Sequence, residues 1–344
     1  MLERSLFDHY RLYPENILQA YQVTIIEASG ERYMLTPVHS EQSQVQQQAE
    51  MANWLLSQGE DGIPELVPTD TGKATLDLDG TVMALYRLPS EARMMRSYDP
   101  VGKRLATFHQ RGQFYAHQGK RKAPSGAQSW KDRWEKRLDQ MESWYVHIRN
   151  EQIKTPFDED FLLTYPYYMG LSENAIQLLN DIAIDDGAAS MEQGNTICHR
   201  RFQDSTWLTV DERFPSAVKV PGQLVYDHFS RDLSEWLRDD FKQSSGNERN
   251  RPLQFPEMLT TYDQERPLTV VDRKLVAARL LFPLHYFDTV EEYYQSVDER
   301  KKGELASEFR TAIYDSGSYE KNVNNVLHYM IDERTRMRLP GWLG

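Results

Sequence analysis

Between residues 21 and 38, runs rich in β-branched and aromatic side chains lie on either side of Ala28-Ser29-Gly30-Glu31, a turn composition that predicts a β-hairpin. A second hairpin is predicted around Asp79-Gly80, where Leu76 and Leu78 alternate with Thr75 and Asp77 before the turn and Val82-Met83-Ala84-Leu85 follows it. Between the two, Val45, Ala49, Ala52, Leu55 and Leu56 recur at helical spacing, so a helix is expected over 41–58, stopped by Gly59. Pro64 and Pro68 keep the next segment extended. Past Pro89 the period changes: Tyr98, Val101, Leu105 and Phe108 form one helical stripe, and Trp130, Trp134, Leu138, Met141 and Tyr145 form another. Further apolar helices are expected over 172–184 and 271–286, and turn-rich polar loops over 119–129 and 244–252. The stretch 85–91 is then the natural joint between a small α+β part at 1–88 and a larger, mainly helical part at 89–344. The chain shows no internal repeat and no low-complexity tract.

Composition narrows the function classes. With 52 acidic against 40 basic residues the net charge is −12, so there is no global positive field for a phosphate backbone and no nucleic-acid partner is expected. The single cysteine, Cys198, permits neither an intrachain disulfide nor a cysteine-rich zinc site, as in a reducing compartment. No uninterrupted apolar run is long enough to cross a bilayer, and residues 1–10 carry charges through their apolar positions. Neither membrane insertion nor a leader is expected.

The chemistry concentrates in 196–238, TICHRRFQDSTWLTVDERFPSAVKVPGQLVYDHFSRDLSEWLR. An apolar entry, a histidine, a loop, a strand-like pair and an Arg-Asp before a helix resemble the catalytic segment of aminoglycoside and choline kinase-type phosphotransferases, most closely their spore-coat branch. VGKRLATFHQ at 101–110 looks like the helix opening that branch's larger lobe, and SWKDRWEKRLDQM at 129–141 like its Trp-rich helix. LVAARLLFPLHYFDTVEEYY at 275–294 is similar to its late helix, and the order of these segments matches the YutH-type endospore coat-associated family over nearly the whole chain. The resemblance implies an α+β, bilobal protein-kinase-like fold with a small β-rich N-lobe and a large helical C-lobe.

In active members of this superfamily the loop reads H-G-D-x-x-x-x-N, its Asp taking the acceptor's proton and its Asn holding Mg²⁺ together with a second Asp further on. Laid on this chain, His199 matches, Arg201 stands at the base position and Thr206 at the Asn position. The second Asp falls at 217–221, AVKVP, which has no carboxylate, and the strand lysine for the nucleotide phosphates is replaced by Thr36. Its helix partner would be Glu50 or Glu41, and no glycine-rich cover precedes Gly30. Exchanging an acid for Arg201 repels a metal ion instead of binding it, and phosphoryl transfer depends on that ion.

The resemblance therefore implies a catalytically inactive kinase-like protein with a structural or assembly role in the endospore coat, made in the mother-cell cytoplasm and met by other spore-coat proteins. No cofactor and no metal are expected, and there is no clear provision for nucleotide. Two alternatives remain open. One is a small-molecule phosphotransferase using displaced carboxylates, with Asp204, Asp211 and Asp227 as candidates. The other is a metal-independent nucleotide- or phosphometabolite-sensing pseudokinase that binds phosphate through Arg201 and Lys219, since arginine presents a bidentate fork to oxyanions. His199, Arg231 and Asp232 read as structural: His199 as a buried loop-shaping residue, and Asp232 as a helix N-cap with Glu235 completing a capping box. Cys198 reads as an inert small hydrophobe. The basic residues Lys120, Arg121, Lys122, Lys131, Arg133, Lys136 and Arg137 read as a solvated face.

Overall fold

The structure, a computed structural model, describes residues 2–20, 23–38, 42–90, 98–115, 126–203, 205–208, 217–245 and 251–331. The chain packs as two compact units, the first drawn from 1–122, 196–232 and 260–266, the second from 123–195, 233–259 and 267–344.

The first unit opens with helix α1 (Leu2–Tyr10) and the strands β1 (Asn16–Ala20), β2 (Val23–Ala28) and β3 (Glu31–Pro37). Helix α2 (Gln42–Ser57) and the strands β4 (Glu65–Val67), β5 (Leu76–Leu78) and β6 (Thr81–Arg87) follow. The strands form an antiparallel sheet in the order β1-β2-β3-β6-β4, with β5 also on β6. Both expected hairpins are present, and both turns need left-handed backbone: φ is 54° and 74° at Ser29 and Gly30, and 53° and 83° at Asp79 and Gly80. These values suit the twist of a two-residue hairpin, which is why the Ser-Gly and Asp-Gly pairs mark them. Asp77 Oδ1 accepts the Gly80 N–H at 2.9 Å and closes the second turn.

Both sheet faces are covered. Met34, Ala84 and Tyr86 pack with Val45 of α2, while the alternate positions Leu35 and Leu85 pack with Leu6 and Tyr10 of α1. Burial on two sides explains the consecutive buried residues of β3 and β6, where strict alternation would mark a one-sided sheet.

Helix α3 (Val101–Gly112) begins after Pro100, which leaves Tyr98 outside the helix and 88% exposed rather than on the expected stripe. Strand β7 (Asn195–His199) runs directly against α3: a Cβ at Gly112 would stand 2.6 Å from Thr196 Oγ1 and 2.8 Å from the Ile197 nitrogen. The short pair β8 (Trp207–Leu208) and β9 (Val218–Lys219) and strand β10 (Leu224–His228) come next, β10 pairing with β7. The start of α6 (Ser230–Ser245), through Asp232, and the end of α7 (Phe255–Glu265), from Thr260, also belong to this unit.

The second unit is helical. Helix α4 (Gln128–Asn150) buries Trp130, Trp134 and Met141 as its stripe predicts. Helix α5 (Pro156–Ile182) starts well before the expected residue 172, because Thr155 and Asp158 form a reciprocal capping box in front of Pro156. The single helix expected over 271–286 is two, α8 (Val270–Leu281) and α9 (Leu284–Gln295), divided at Pro283, whose ring and missing N–H cannot continue the helical ladder. Helices α10 (Glu299–Tyr314) and α11 (Ser316–Met330) complete the unit. Trp134 stacks on Phe282 with centroids 4.5 Å apart, and the Arg279 guanidinium lies over Trp130 at 4.6 Å. The basic residues at 120–122 and the core of the loop at 246–250 lie outside the described residues.

Candidate functional site

The loop between β7 and β8 is held by one buried carboxylate. Asp232 accepts the His199 backbone N–H at 3.0 and 3.1 Å, the His199 ring at 2.7 Å and the His109 ring at 3.1 Å. Trp207 Nε1–H donates to His199 Nε2 at 3.1 Å, and an indole can only donate, so the His199 proton sits on Nδ1, facing Asp232. His109 Nδ1 lies 2.8 Å from the Tyr262 hydroxyl. Burial, against the opposing pull of Asp232, lowers the His109 pKa to about 4, so its neutral ring donates from Nε2 and accepts the Tyr262 hydroxyl at Nδ1. Burial pushes the Asp232 carboxyl up, but the field of His199 and the hydrogen bonds from both imidazoles outweigh it and hold the group ionised, well below the usual carboxylate range. The chain Tyr262–His109–Asp232–His199–Trp207 ties α7, α3, α6, β7 and β8 into one network, with Phe108 stacked on the His199 ring at 4.7 Å.

This corrects the reading of Asp232 as a capped helix start. The residue is the third of α6 and fully buried; its carboxylate is spent on the loop, while Glu235 accepts from Arg238 and Arg279. His109 escaped the sequence reading because it sits inside an apolar stripe, where a histidine carries no periodic signal. His109, Cys198 and Asp232 bring three metal-ligating atoms within 4.8 Å of one another. They do not fit an ion: Asp232 and His109 are committed to each other, and burial raises the Cys198 thiol well above its ordinary pKa and so disfavours the thiolate.

Arg201 is exposed, and Thr206 closes the loop on itself, its Oγ1 accepting the Gln203 N–H at 2.8 Å and donating to the Arg201 carbonyl at 3.0 Å. Arg231 braces the same loop from below, donating to the carbonyls of His199 and Arg200 and, at 2.9 Å, to Asp227 Oδ2. Asp227, one of the candidate displaced carboxylates, is buried, with its other oxygen accepting the His228 N–H at 2.8 Å. Asp204 and Asp211 lie outside the described residues.

Lys219 does not join Arg201. It points from β9 to Glu60 and Asp61, donating to Glu60 Oε1 at 2.5 Å, to the Asp61 carbonyl at 2.9 Å and to Asp61 Oδ1 at 3.3 Å. These acceptors occupy its ammonium in a buried pair. Arg111 reaches the other Glu60 oxygen at 2.6 Å, and Arg104 and Lys219 both lie over the Trp207 ring, at 4.7 and 5.2 Å from its centroid.

Thr36 is buried on β3, opposite Ala84 of β6, with its hydroxyl on the Pro37 carbonyl at 3.2 Å. Of its expected partners, Glu50 is exposed and Glu41 lies outside the described residues. The α2 side chain that reaches the segment after β9 is Gln48, which donates to the Gly222 and Leu224 carbonyls at 2.9 and 3.4 Å. Nothing in the spacing singled it out, because a glutamine among several on one helix is silent until the opposing backbone is in place.

A sheet with a helix packed on each face, followed by a histidine-anchored loop, a short β-pair and an aspartate that grips the loop from the next helix, is the arrangement of kinase-like phosphotransferases. The chain has the aminoglycoside phosphotransferase-like kinase fold: it matches an aminoglycoside phosphotransferase from Alicyclobacillus acidocaldarius with a TM-score of 0.63 at 10% identity over 92% of each chain. The spectinomycin phosphotransferase APH(9)-Ia, solved with ADP and spectinomycin, matches with a TM-score of 0.58 at 13% identity, covering 90% of this chain and 93% of that one.

The particular family follows from sequence. The model described as "Spore coat putative kinase YutH" matches residues 3–326, and the endospore coat-associated protein YutH of Bacillus subtilis (strain 168) is 32% identical over 332 residues, 95% of this chain and 94% of that protein. The chain belongs to the YutH spore coat kinase-like family.

Proposed function

We propose that this chain is a catalytically inactive member of its family, acting in the assembly or architecture of the endospore coat through contacts with other coat proteins. The lobe boundary falls near Leu88. The observation that carries the reading is the state of the loop: a cation at the base position, Arg201, and a hydroxyl at the metal position, Thr206, already spent on the loop's own backbone. Of the candidate replacement carboxylates, Asp227 is consumed by Arg231 and the His228 amide. A general base has to reach the proton it removes, and a metal site needs converging anionic oxygens; among the described residues the loop's own side chains supply neither. What persists is the scaffold, with Asp232, His199 and Arg231 maintaining a kinase-like loop as a shape. The coat role itself rests on kinship with the Bacillus subtilis protein.

A thermal-shift titration with ATP and ADP, each with and without Mg²⁺, followed by a phosphate-transfer assay, tests the reading, because a ligand bound only by the native state raises the melting temperature. No shift at millimolar nucleotide and no transfer are expected. A Mg²⁺-dependent shift with turnover overturns inactivity. A metal-independent shift lost in Arg201→Ala replaces the structural reading with a phosphate-sensing one.

A further inference from the structure

The sheet of the first unit has two edges, and the sequence treats them differently. One edge is made of β4 and β5, three residues each, and both carry an acid, Glu65 and Asp77. Short strands and charges are what keep a sheet edge from pairing with another chain. The other edge is β1, five residues long, and its Asn-Ile-Leu-Gln-Ala contains no charge, no proline and no glycine. Among the described residues β1 pairs only with β2, so the N–H and C=O groups on its outer side face no strand.

The polar side chains of β1 are engaged within the sheet. Gln19 Oε1 accepts the Thr24 hydroxyl at 2.9 Å, and Asn16 Nδ2 donates to Glu27 Oε2 at 3.2 Å. What remains for an incoming strand is backbone and an apolar row. The cross-strand register aligns Leu18, Ile25, Met34 and Tyr86 in one row across the sheet. The last three are buried, while Leu18, where the row meets the edge, is 41% exposed. A strand added beside β1 covers it and extends the row.

The occupant that fits is the same strand of a second copy. Antiparallel pairing about a two-fold axis at Leu18 sets Leu18 against Leu18, Ile17 against Gln19 and Asn16 against residue 20. The centre is apolar on apolar, and no charge meets a like charge at any of the five positions. A net charge of −12 opposes the approach of two copies, and a neutral strand is where that approach costs least. Each copy has one such edge and the opposite edge is guarded, so pairing closes at two instead of growing into a fibre.

We propose that this protein self-associates through β1, two copies joining their sheets edge to edge, antiparallel, with Leu18 on the two-fold axis. With five residues a side, the contact belongs to the small, transient class of interface and forms at high local concentration. It involves neither the kinase-like loop nor its activity.

Sedimentation velocity of the full chain, from low to high micromolar, tests the pairing. A reversible shift from monomer to dimer is expected, with no larger species. Leu18→Lys and Leu18→Glu each set like charges against one another at the axis and should weaken the dimer by about tenfold or more. Mixed one to one, the two variants should recover it, because Lys then faces Glu, a result that a merely structural Leu18 does not produce. Val146→Lys, at an exposed position on α4, should leave the dimer unchanged. In the wild type, amide hydrogen exchange at 16–20 should slow as the concentration rises, a readout that needs no variant to fold. A chain that stays monomeric throughout, leaving the edge to a foreign strand, overturns the proposal. So does a dimer indifferent to both Leu18 substitutions, a mixture that fails to restore it, or exchange at 16–20 that ignores concentration.

Discussion

Replacing Asp232 by Asn tests whether one buried carboxylate holds the kinase-like loop. The wild-type group serves three donors, the His199 N–H, His199 Nδ1–H and His109 Nε2–H, at 2.7 to 3.1 Å. Asparagine has the same volume and leaves no cavity, so the effect is polar. It removes the charge and turns one oxygen into an NH₂ that faces a donor. Losing charge assistance costs about 1.5–3 kcal/mol, and a stranded buried donor costs about 1–3 kcal/mol more; the middle of the combined range is about 3–5 kcal/mol. At roughly 2–4 °C per kcal/mol for a domain of this class, the melting temperature should fall by about 6–20 °C. Urea unfolding at pH 7 followed by tryptophan emission reads both stability and the surroundings of Trp207, whose indole bonds to His199. A loss under about 1 kcal/mol with unchanged emission would refute the reasoning, because three such bonds cannot be surrendered so cheaply.

Other expectations follow from the same geometry. His109 has its pKa lowered from 6.5 to about 4, so the unfolded chain takes up its proton first: the contribution is fully present above about pH 6.5 and is lost as the pH falls toward 4, by up to about 3 kcal/mol, measurable as urea midpoints across that range. Gly112→Ala should destabilise by about 1–3 kcal/mol, since its Cβ meets the Ile197 backbone nitrogen at 2.8 Å, whereas Gly170→Ala on α5, with nothing within 4 Å, should stabilise by about 0.5–1 kcal/mol; calorimetry of the pair checks both signs. Lys219→Met should cost about 3–5 kcal/mol by stranding part of the charge of buried Glu60, less whatever Arg111 compensates, and Glu60→Gln in the same background should recover part of the loss.

Much of the architecture was legible because it depends on short-range requirements. The Ser29-Gly30 and Asp79-Gly80 turns need left-handed backbone that few residues supply, and the stripes of α2 and α4 follow from the helical period alone. The division at Pro283 was also legible, in a proline whose consequence the apolar periodicity concealed.

What only tertiary structure decided is where each polar group finds its partner. Asp232 has a neighbour at 235 that suits a capping box, and its true donors lie 33 and 123 residues away on β7 and α3. Lys219 in a segment without carboxylates suggests a phosphate ligand until the loop after α2 brings Glu60 and Asp61 against it. Local propensity fixes the backbone within a few residues, but the cost of burying a charge is settled by whatever the fold places within about 3 Å of it, and that distance has no counterpart along the chain.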